Sequence, residues 1–155
     1  MNKKWKIEKL RYSKKLKNIA DLILEQRISK LINLIEKYLN DKNEENLHDV
    51  RIALRRVRYN LELFLVCYDE SSFSKFYIKI EKLQNLSGQV RDIDVMLLNL
   101  KKIEERGVKI EKDLIDKILE ERSNLENELI DQLNKFLKGK SLKQFLKEIN
   151  YLEVI

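Results

Sequence analysis

The stretch HDVRIALRRVRYNLELF, residues 48–64, decides how this sequence folds. At about 100° per residue, its apolar side chains share one face of a helix. These side chains are Val50, Ala53, Val57, Leu61 and Phe64. On the opposite side, a basic stripe places arginines within roughly 80° of the only histidine of the chain. The basic stripe consists of His48, Arg51, Arg55 and Arg58, with Arg56 at its edge.

This basic stripe is unusual for a helix face that only meets water. Such faces normally mix charges, because Glu and Lys four residues apart stabilise a helix. The stripe also uses arginine in a chain where lysine is the commoner base, and the planar guanidinium binds phosphate oxygens in pairs. Two interpretations stay open. Either carboxylates of another helix neutralise the stripe, or it binds an oxyanion, which the residue chemistry favours.

His48 lacks the sequence partners that metal binding or covalent chemistry would need. A metal site requires further ligands, and the chain has no second histidine and no cysteine near His48. A nucleophilic site requires a serine or cysteine in matching geometry. Donating a hydrogen bond to an anion requires only the right position. We therefore expect no catalytic residue, no bound metal and no cofactor.

Composition predicts one all-α domain over residues 1–155. With no proline, three glycines, 37% charged and 43% hydrophobic residues, the chain suits long amphipathic helices and is too apolar to be disordered. No apolar run is long enough to span a membrane, and the N-terminus lacks the features of a secretory signal. The single cysteine, Cys67, lies in an apolar run and is expected to be buried. These features predict a cytoplasmic protein.

The net charge of +6 is unevenly distributed along the chain. Residues 1–17 contain eight basic side chains and one acidic one, so the remainder is close to neutral. We expect a basic N-terminal segment, residues 1–12, which aids solubility or attracts polyanions weakly. Any anion site in the remainder must arise from local clustering of charge.

Helical periodicity extends through almost all of the sequence after this segment. It predicts long helices over 13–40, 44–67, 72–86, 90–105 and 109–138. A short last helix is expected to open with the capping-box pattern SLKQ at 141–144. Asn43 is expected to cap the second helix, while Gly107 and Gly139 are expected to end later ones. Short loops between these helices predict an antiparallel helical bundle.

Two further details of this pattern need the structure to decide them. Ser87 and Gly88 are expected to interrupt the third helix, although periodicity also allows one continuous helix. The expected inward-facing positions outside the second helix are Leu24, Ile28, Leu31, Ile35, Tyr38, Phe76, Ile80, Leu83, Ile110, Leu114, Ile118, Leu125, Leu129 and Leu133.

A second unusual stretch is LQNLSGQVRDIDVMLLNL, residues 83–100. Its glycine, Gly88, permits a close backbone approach or a turn with positive φ. Arg91 is followed by Asp92 and Asp94 in the first turn of the predicted helix, where acidic residues suit the helix dipole. Either aspartate is able to hold an arginine of the histidine–arginine helix in a fixed rotamer.

Together, the two stretches resemble the CHAD family, the conserved histidine α-helical domain. Its first motif is a histidine followed by arginines at three, seven, eight and ten residues amid aliphatic positions, here HDVRIALRRVRYNLELF. Its second motif is a leucine-glycine break followed by VRDLDVLL, here LSGQVRDIDVMLL. The resemblance covers residues 44–100, is looser over the first helix and is weak over 106–155.

The resemblance implies non-catalytic binding of inorganic polyphosphate along a basic groove in a helical bundle. By position, the implied ligands are His48, Arg51, Arg55, Arg56, Arg58 and Arg91, joined by Lys75, Lys79 and Lys82 of the third helix. The family's usual domain contains two related halves, each with a histidine–arginine helix, whereas this chain has one such helix. We therefore expect a homodimer that rebuilds the groove, with a half-domain that works alone as the alternative.

Three other classes of function stay open as alternatives. A general polyanion or nucleic-acid-binding protein would share the basic charge, although a base-reading helix usually adds Asn, Gln or Ser among its arginines. A phosphate-transfer enzyme would need a glycine-rich phosphate loop or a set of metal-binding carboxylates, and the sequence contains neither motif. A purely structural dimer would pair the basic stripe internally.

Overall fold

The structure, a computed structural model, describes residues 14–149. Its helices are α1 Lys14–Asn40, α2 Glu44–Leu63, α3 Glu70–Glu105, α4 Lys112–Lys138 and α5 Lys140–Glu148, with a 3₁₀ turn at Leu65–Cys67. The predicted basic segment, residues 1–12, lies outside the described residues. Within 14–149 the chain forms helices and no strand, which confirms the all-α prediction.

The core forms where each helix packs on the next one along the chain. In addition, α1 contacts α4, and α5 packs against α3, so the four long helices enclose a shared interior. The predicted inward stripe of α1, from Leu24 to Tyr38, is completely buried. The predicted apolar face of α2, from Val50 to Phe64, is buried as well. The 3.6-residue period of the sequence therefore identified both packing faces correctly.

The second helix begins as predicted and ends earlier than predicted. Its first turn is capped by Asn43, whose Oδ1 accepts a hydrogen bond from the backbone N–H of Asn46 at 2.8 Å. The helix ends at Leu63 instead of residue 67, and a 3₁₀ turn follows. Phe64, Val66, Cys67 and Tyr68 are all buried there. Nearly consecutive residues cannot all face the core from one α-helix, so the chain must leave α-helical geometry to bury them.

The predicted break at Ser87–Gly88 does not occur, because α3 runs without interruption from Glu70 to Glu105. The Ser87 hydroxyl donates a hydrogen bond to the carbonyl oxygen of Gln84 at 2.8 Å, so this buried polar group is satisfied within the helix. Leu83, Leu86 and Val90 are buried on both sides of the glycine. Their packing outweighs the cost of about 1 kcal/mol that a glycine adds to a helix interior.

The C-terminal half of α3 and the N-terminal half of α4 form a hairpin that extends past α2. The 36 residues of α3 give it a length of about 54 Å, against about 30 Å for the 20 residues of α2. The prediction that all apolar positions of α4 face inward is therefore only partly right. Leu129 and Leu133 are buried, whereas Leu114, near the hairpin tip, is 47% exposed.

Glycines mark the two turns that follow the hairpin helices. Gly107, with φ +92°, ends α3 as predicted, and its N–H donates to the carbonyl oxygen of Glu104. Gly139 ends α4 as predicted, and it also stands at the N-cap of α5. The predicted capping box at 141–144 is wrong, because Ser141 already lies inside α5. A side chain at residue 139 would clash with α4, so no capping hydroxyl fits there.

Two polar networks connect the C-terminal helices to the rest of the bundle. Arg122 of α4 binds Asp94 of α3 and Glu126, and Glu126 accepts a hydrogen bond from Tyr38 of α1 at 2.9 Å. At the other end of the bundle, the carboxylate of Glu148 accepts hydrogen bonds from the Asp69 N–H and the Ser72 hydroxyl. None of the helices in residues 14–149 combines the length and hydropathy that a bilayer crossing requires.

Candidate anion-binding site

The basic stripe of α2 lies beside α3, and the two helices form a cleft of about 540 Å³. We call it the arginine cleft. Residues of α2 supply its cationic wall, and residues of α3 supply its amide-rich wall. The lining residues are His48, Arg51, Ile52, Arg55, Gln84, Asn85, Gly88, Gln89 and Asp92. Asp92 is the one carboxylate among them, so positive charge exceeds negative charge in the cleft.

The two central arginines of the cleft are left without a close anionic partner. Among residues 14–149, neither Arg51 nor Arg55 forms a salt bridge or a side-chain hydrogen bond. Partial burial lowers the pKa of the Arg51 guanidinium, and repulsion from Arg91 and Arg55 lowers it further, while Asp92 raises it. The positive charges of Arg51, Arg55 and Arg91 repel one another, so a bound anion would relieve the repulsion.

Gly88 contributes free space to the arginine cleft. It lies within α3 and has no positive φ, so the turn that its sequence permitted is not formed. A Cβ atom built on Gly88 would meet no atom within 4 Å beyond its chain neighbours and the backbone of its own helix. Packing therefore does not require a glycine at this position. Its effect is to leave the helix backbone open to a ligand, the close approach that the sequence also allowed.

Arg58 differs from the other arginines of the stripe because protein groups already hold it. Its Nε lies 3.1 Å from both Glu62 Oε1 and Tyr77 Oη, and its Nη2 lies 3.5 Å from Glu81 Oε2. The hydrogen bond with Tyr77 is the main reason that the pKa of Arg58 is raised. Arg58 also donates to Gln84 Oε1 at 3.4 Å. Neutralisation by carboxylates, one of the two interpretations of the stripe, thus applies to Arg58.

Arg56 faces a different groove, on the other side of α2. This groove lies between α1 and α2, encloses about 340 Å³, and contains Arg27 and Lys30 of α1 as well as Asp49 of α2. Ile52 lines both this groove and the arginine cleft. The position of Arg56 at the edge of the predicted stripe therefore corresponds to a real separation of the two surfaces.

The three predicted lysines of the third helix do not line the arginine cleft. Lys75, Lys79 and Lys82 line a separate cleft of about 270 Å³, between α3 and the junction of α4 with α5. We call it the lysine cleft. Its remaining lining residues are Leu83, Gln132, Lys135, Phe136, Gly139, Lys140 and Ser141.

Not all charged residues of the second motif belong to the arginine cleft. Arg91 lies near enough to Arg51 for their charges to interact, and Asp92 lines the arginine cleft. Asp94 is buried and holds Arg122 of α4, with a distance of 2.5 Å between Arg122 Nε and Asp94 Oδ1. The hypothesis that Asp94 holds an arginine of the histidine–arginine helix is therefore wrong, because its partner belongs to α4.

Sequence reasoning missed the α3 wall of the arginine cleft. Gln84, Asn85 and Gln89 line it, and they share one face of a continuous helix with Gly88 and Asp92. If the helix were interrupted at Ser87–Gly88, the residues before and after the break would not share one helical repeat. The sequence therefore could not predict that these residues lie on one face. The signal that was available is the cluster of polar residues around the glycine, QNLSGQ at 84–89.

Comparison with known proteins supplies the family. The family model of the CHAD domain matches residues 3–101, well over half of the chain. The chain belongs to the CHAD family. The match contains both motifs and every predicted ligand in α2 and α3. No curated protein and no solved structure matches the chain.

The CHAD match ends within the hairpin, so α4 and α5 lie outside it. These two helices nevertheless complete the core beside α3 and provide one side of the lysine cleft. No group of three or more His, Cys, Asp or Glu residues that could hold a metal ion is found within residues 14–149. The arginine cleft offers a ligand ionic contact from arginine and hydrogen bonding from histidine and amide groups, and the lysine cleft offers ionic contact from lysine.

Proposed function

We propose that this CHAD protein binds inorganic polyphosphate in the arginine cleft without catalysing a reaction. CHAD domains are binding domains associated with polyphosphate. The observation that carries the proposal is the pair Arg51 and Arg55, which face an open cleft without a salt bridge among the described residues. Their guanidinium groups present paired donors to phosphate oxygens, and His48 adds a donor at one end of the stripe.

Each of the other predicted arginine ligands has a distinct part in this proposal. Arg91 adds positive charge next to Arg51. Arg58 donates a hydrogen bond to Gln84 Oε1 and so positions this amide at the wall of the cleft. Its effect on polyphosphate binding is therefore mainly indirect, through Gln84. Arg56 faces the α1–α2 groove and attracts the ligand from the flank.

Homodimerisation is the second part of the proposal, and a stripe along α3 supports it. Asn85, Gln89 and Asp92 line the arginine cleft, and the same helical spacing continues to Met96 and Ile103. These last two side chains are 48% and 40% exposed. A second copy that packs on this apolar continuation would lie directly beside the cleft and would extend it.

The charge of the hairpin also favours a second copy as the partner. Residues 95–121 contain six basic and seven acidic side chains, so two hairpins of this composition do not repel each other. We expect a dimer by light scattering coupled to size-exclusion chromatography, and a monomer for Met96→Glu/Ile103→Glu. The matched control is Leu63→Glu, at an exposed leucine on α2. We expect this variant to keep the molar mass of the dimer. A wild-type monomer in the presence of polyphosphate would contradict this part of the proposal.

General polyanion or nucleic-acid binding is the second candidate function. One observation favours it: Gln84, Asn85 and Gln89 place amides, which also hydrogen-bond base edges, opposite the arginines. The sequence argument against base reading, that the basic stripe lacks amides, therefore does not extend to the whole cleft.

Calorimetric titration with polyphosphate at about 150 mM salt, with duplex DNA of equal charge as competitor, separates the two candidates. We expect binding that DNA does not displace, that weakens as salt rises, and that Arg51→Gln/Arg55→Gln abolishes. The control Lys101→Gln/Lys102→Gln removes the same charge from the exposed hairpin. Equal displacement by DNA would establish the general polyanion binder, and equal loss in both variants would show that the cleft is not the site.

A further inference from the structure

The lysine cleft is built from residues on both sides of the boundary of the family match. Lys75, Lys79 and Lys82 come from α3, Lys135 from α4 and Lys140 from α5. No carboxylate lines this cleft. In the described part of the chain, only Lys135 of these five lysines forms a salt bridge, an exposed one with Asp131 at 2.9 Å. Exposed pairs of this kind contribute little free energy, so the cleft keeps nearly all of its positive charge.

The two clefts meet across α3 within one turn of helix. Lys82 and Leu83 line the lysine cleft, and the next two residues, Gln84 and Asn85, line the arginine cleft. Lys82 and Asn85 are three residues apart and both exposed, so their side chains are neighbours on the helix surface. A flexible chain of phosphates that leaves the arginine cleft over Asn85 therefore comes directly to Lys82, the neighbouring side chain on α3.

We propose that a single polyphosphate chain crosses α3 at residues 82–85 and occupies both clefts. This inference rests on the proposed function, and it adds a second binding segment and a dependence on chain length. Once the arginine cleft holds one part of the chain, the next phosphates are at high effective concentration beside the lysine cleft. Affinity therefore increases with chain length until the chain spans both clefts, and a short phosphate such as triphosphate occupies only one of them.

The test measures affinity by calorimetry for triphosphate and for a graded series of longer polyphosphates. The variant Lys75→Gln/Lys79→Gln/Lys140→Gln removes three charges from the lysine cleft. Its matched control, Lys101→Gln/Lys102→Gln/Lys117→Gln, removes three exposed lysine charges from the hairpin. We expect the lysine-cleft variant to lose about tenfold or more in affinity for long chains, with triphosphate nearly unaffected. The hairpin variant should retain the increase with length, because it changes only the overall charge.

The arginine-cleft variant Arg51→Gln/Arg55→Gln makes the two possible failures distinguishable. If it loses binding while the lysine-cleft variant follows the hairpin control at every length, the crossing is overturned and the proposed function stands. If the arginine-cleft variant binds like the wild type, the proposed function fails, and the crossing fails with it because it requires both clefts. Loss of binding in the arginine-cleft variant, together with loss of the length dependence in the lysine-cleft variant, supports both.

Discussion

Arg122 Nε lies 2.5 Å from Asp94 Oδ1, so an aspartate of the second CHAD motif is bound by an arginine outside the family match. The Asp94 side chain is only 6% exposed. Arg122 also forms a salt bridge with Glu126, which accepts a hydrogen bond from the hydroxyl of the buried Tyr38. Burial and this hydrogen bond raise the pKa of the Tyr38 phenol. One arginine thus links α1, α3 and α4.

Removing that arginine should destabilise the protein without touching the arginine cleft. We expect Arg122→Met to lower the free energy of unfolding by about 2–3 kcal/mol, because Asp94 then becomes a buried charge without its partner. Urea denaturation measures the change. The control is Arg106→Met, at an exposed arginine at the end of α3, with an expected effect below about 0.5 kcal/mol. Equal effects of the two substitutions would show that the Asp94 pair is not stabilising.

Arg55 and Arg58 lie on one stripe and should respond differently to substitution. Arg55→Gln removes a guanidinium that forms no salt bridge in the described part of the chain and faces the cleft, so polyphosphate affinity should fall about tenfold. Arg58→Gln breaks contacts with Glu62, Tyr77 and Glu81, so it should act mainly on stability, by about 1 kcal/mol or less because the group is partly exposed. Titration calorimetry and thermal unfolding on both variants provide the comparison. A larger affinity loss for Arg58→Gln than for Arg55→Gln would contradict it.

Gly88 and Gly139 should give opposite results on replacement by alanine. Gly88→Ala should stabilise the protein by about 0.5–1 kcal/mol, because alanine favours the helix and its Cβ meets no atom of another helix within 4 Å. Gly139→Ala should destabilise it by about 1–2 kcal/mol, because its Cβ would lie 2.9 Å from the backbone oxygen of Lys135. Thermal unfolding tests both signs.

A larger side chain at residue 88 tests the cleft itself. Gly88→Leu should keep the fold and reduce polyphosphate affinity, because the side chain would project into the space that the glycine leaves open. Gly88→Ala is the matched control with little added volume. Unchanged affinity in Gly88→Leu, with circular dichroism like that of the wild type, would place the ligand elsewhere.

His48 should contribute to binding as a hydrogen-bond donor at one end of the basic stripe. We expect His48→Ala to lower polyphosphate affinity by less than Arg55→Gln does, because it removes one donor from the lining of the arginine cleft and leaves the guanidinium groups of Arg51 and Arg55 in place. Titration calorimetry at one fixed pH measures the change. Unchanged affinity in His48→Ala would exclude a role for His48.

The amino-acid sequence by itself determined the packing faces of α1 and α2 and the resemblance to the family. A helix repeats every 3.6 residues, so the faces of α1 and α2 and the basic stripe followed from residue spacing alone. The cap at Asn43 and the ends at Gly107 and Gly139 also followed, because these residues act on the backbone close to them in sequence.

Only the tertiary structure decided which charges share a surface. Whether the helix continues past Ser87–Gly88 depends on packing by Leu83, Leu86 and Val90, and the α3 wall of the arginine cleft follows from that continuity. The partners of Arg58 and Asp94 lie on other helices, and the lysines of α3 meet Lys135 and Lys140 only when α4 and α5 fold back. Residue spacing within one helix carries no information about such neighbours, because packing between helices sets their positions.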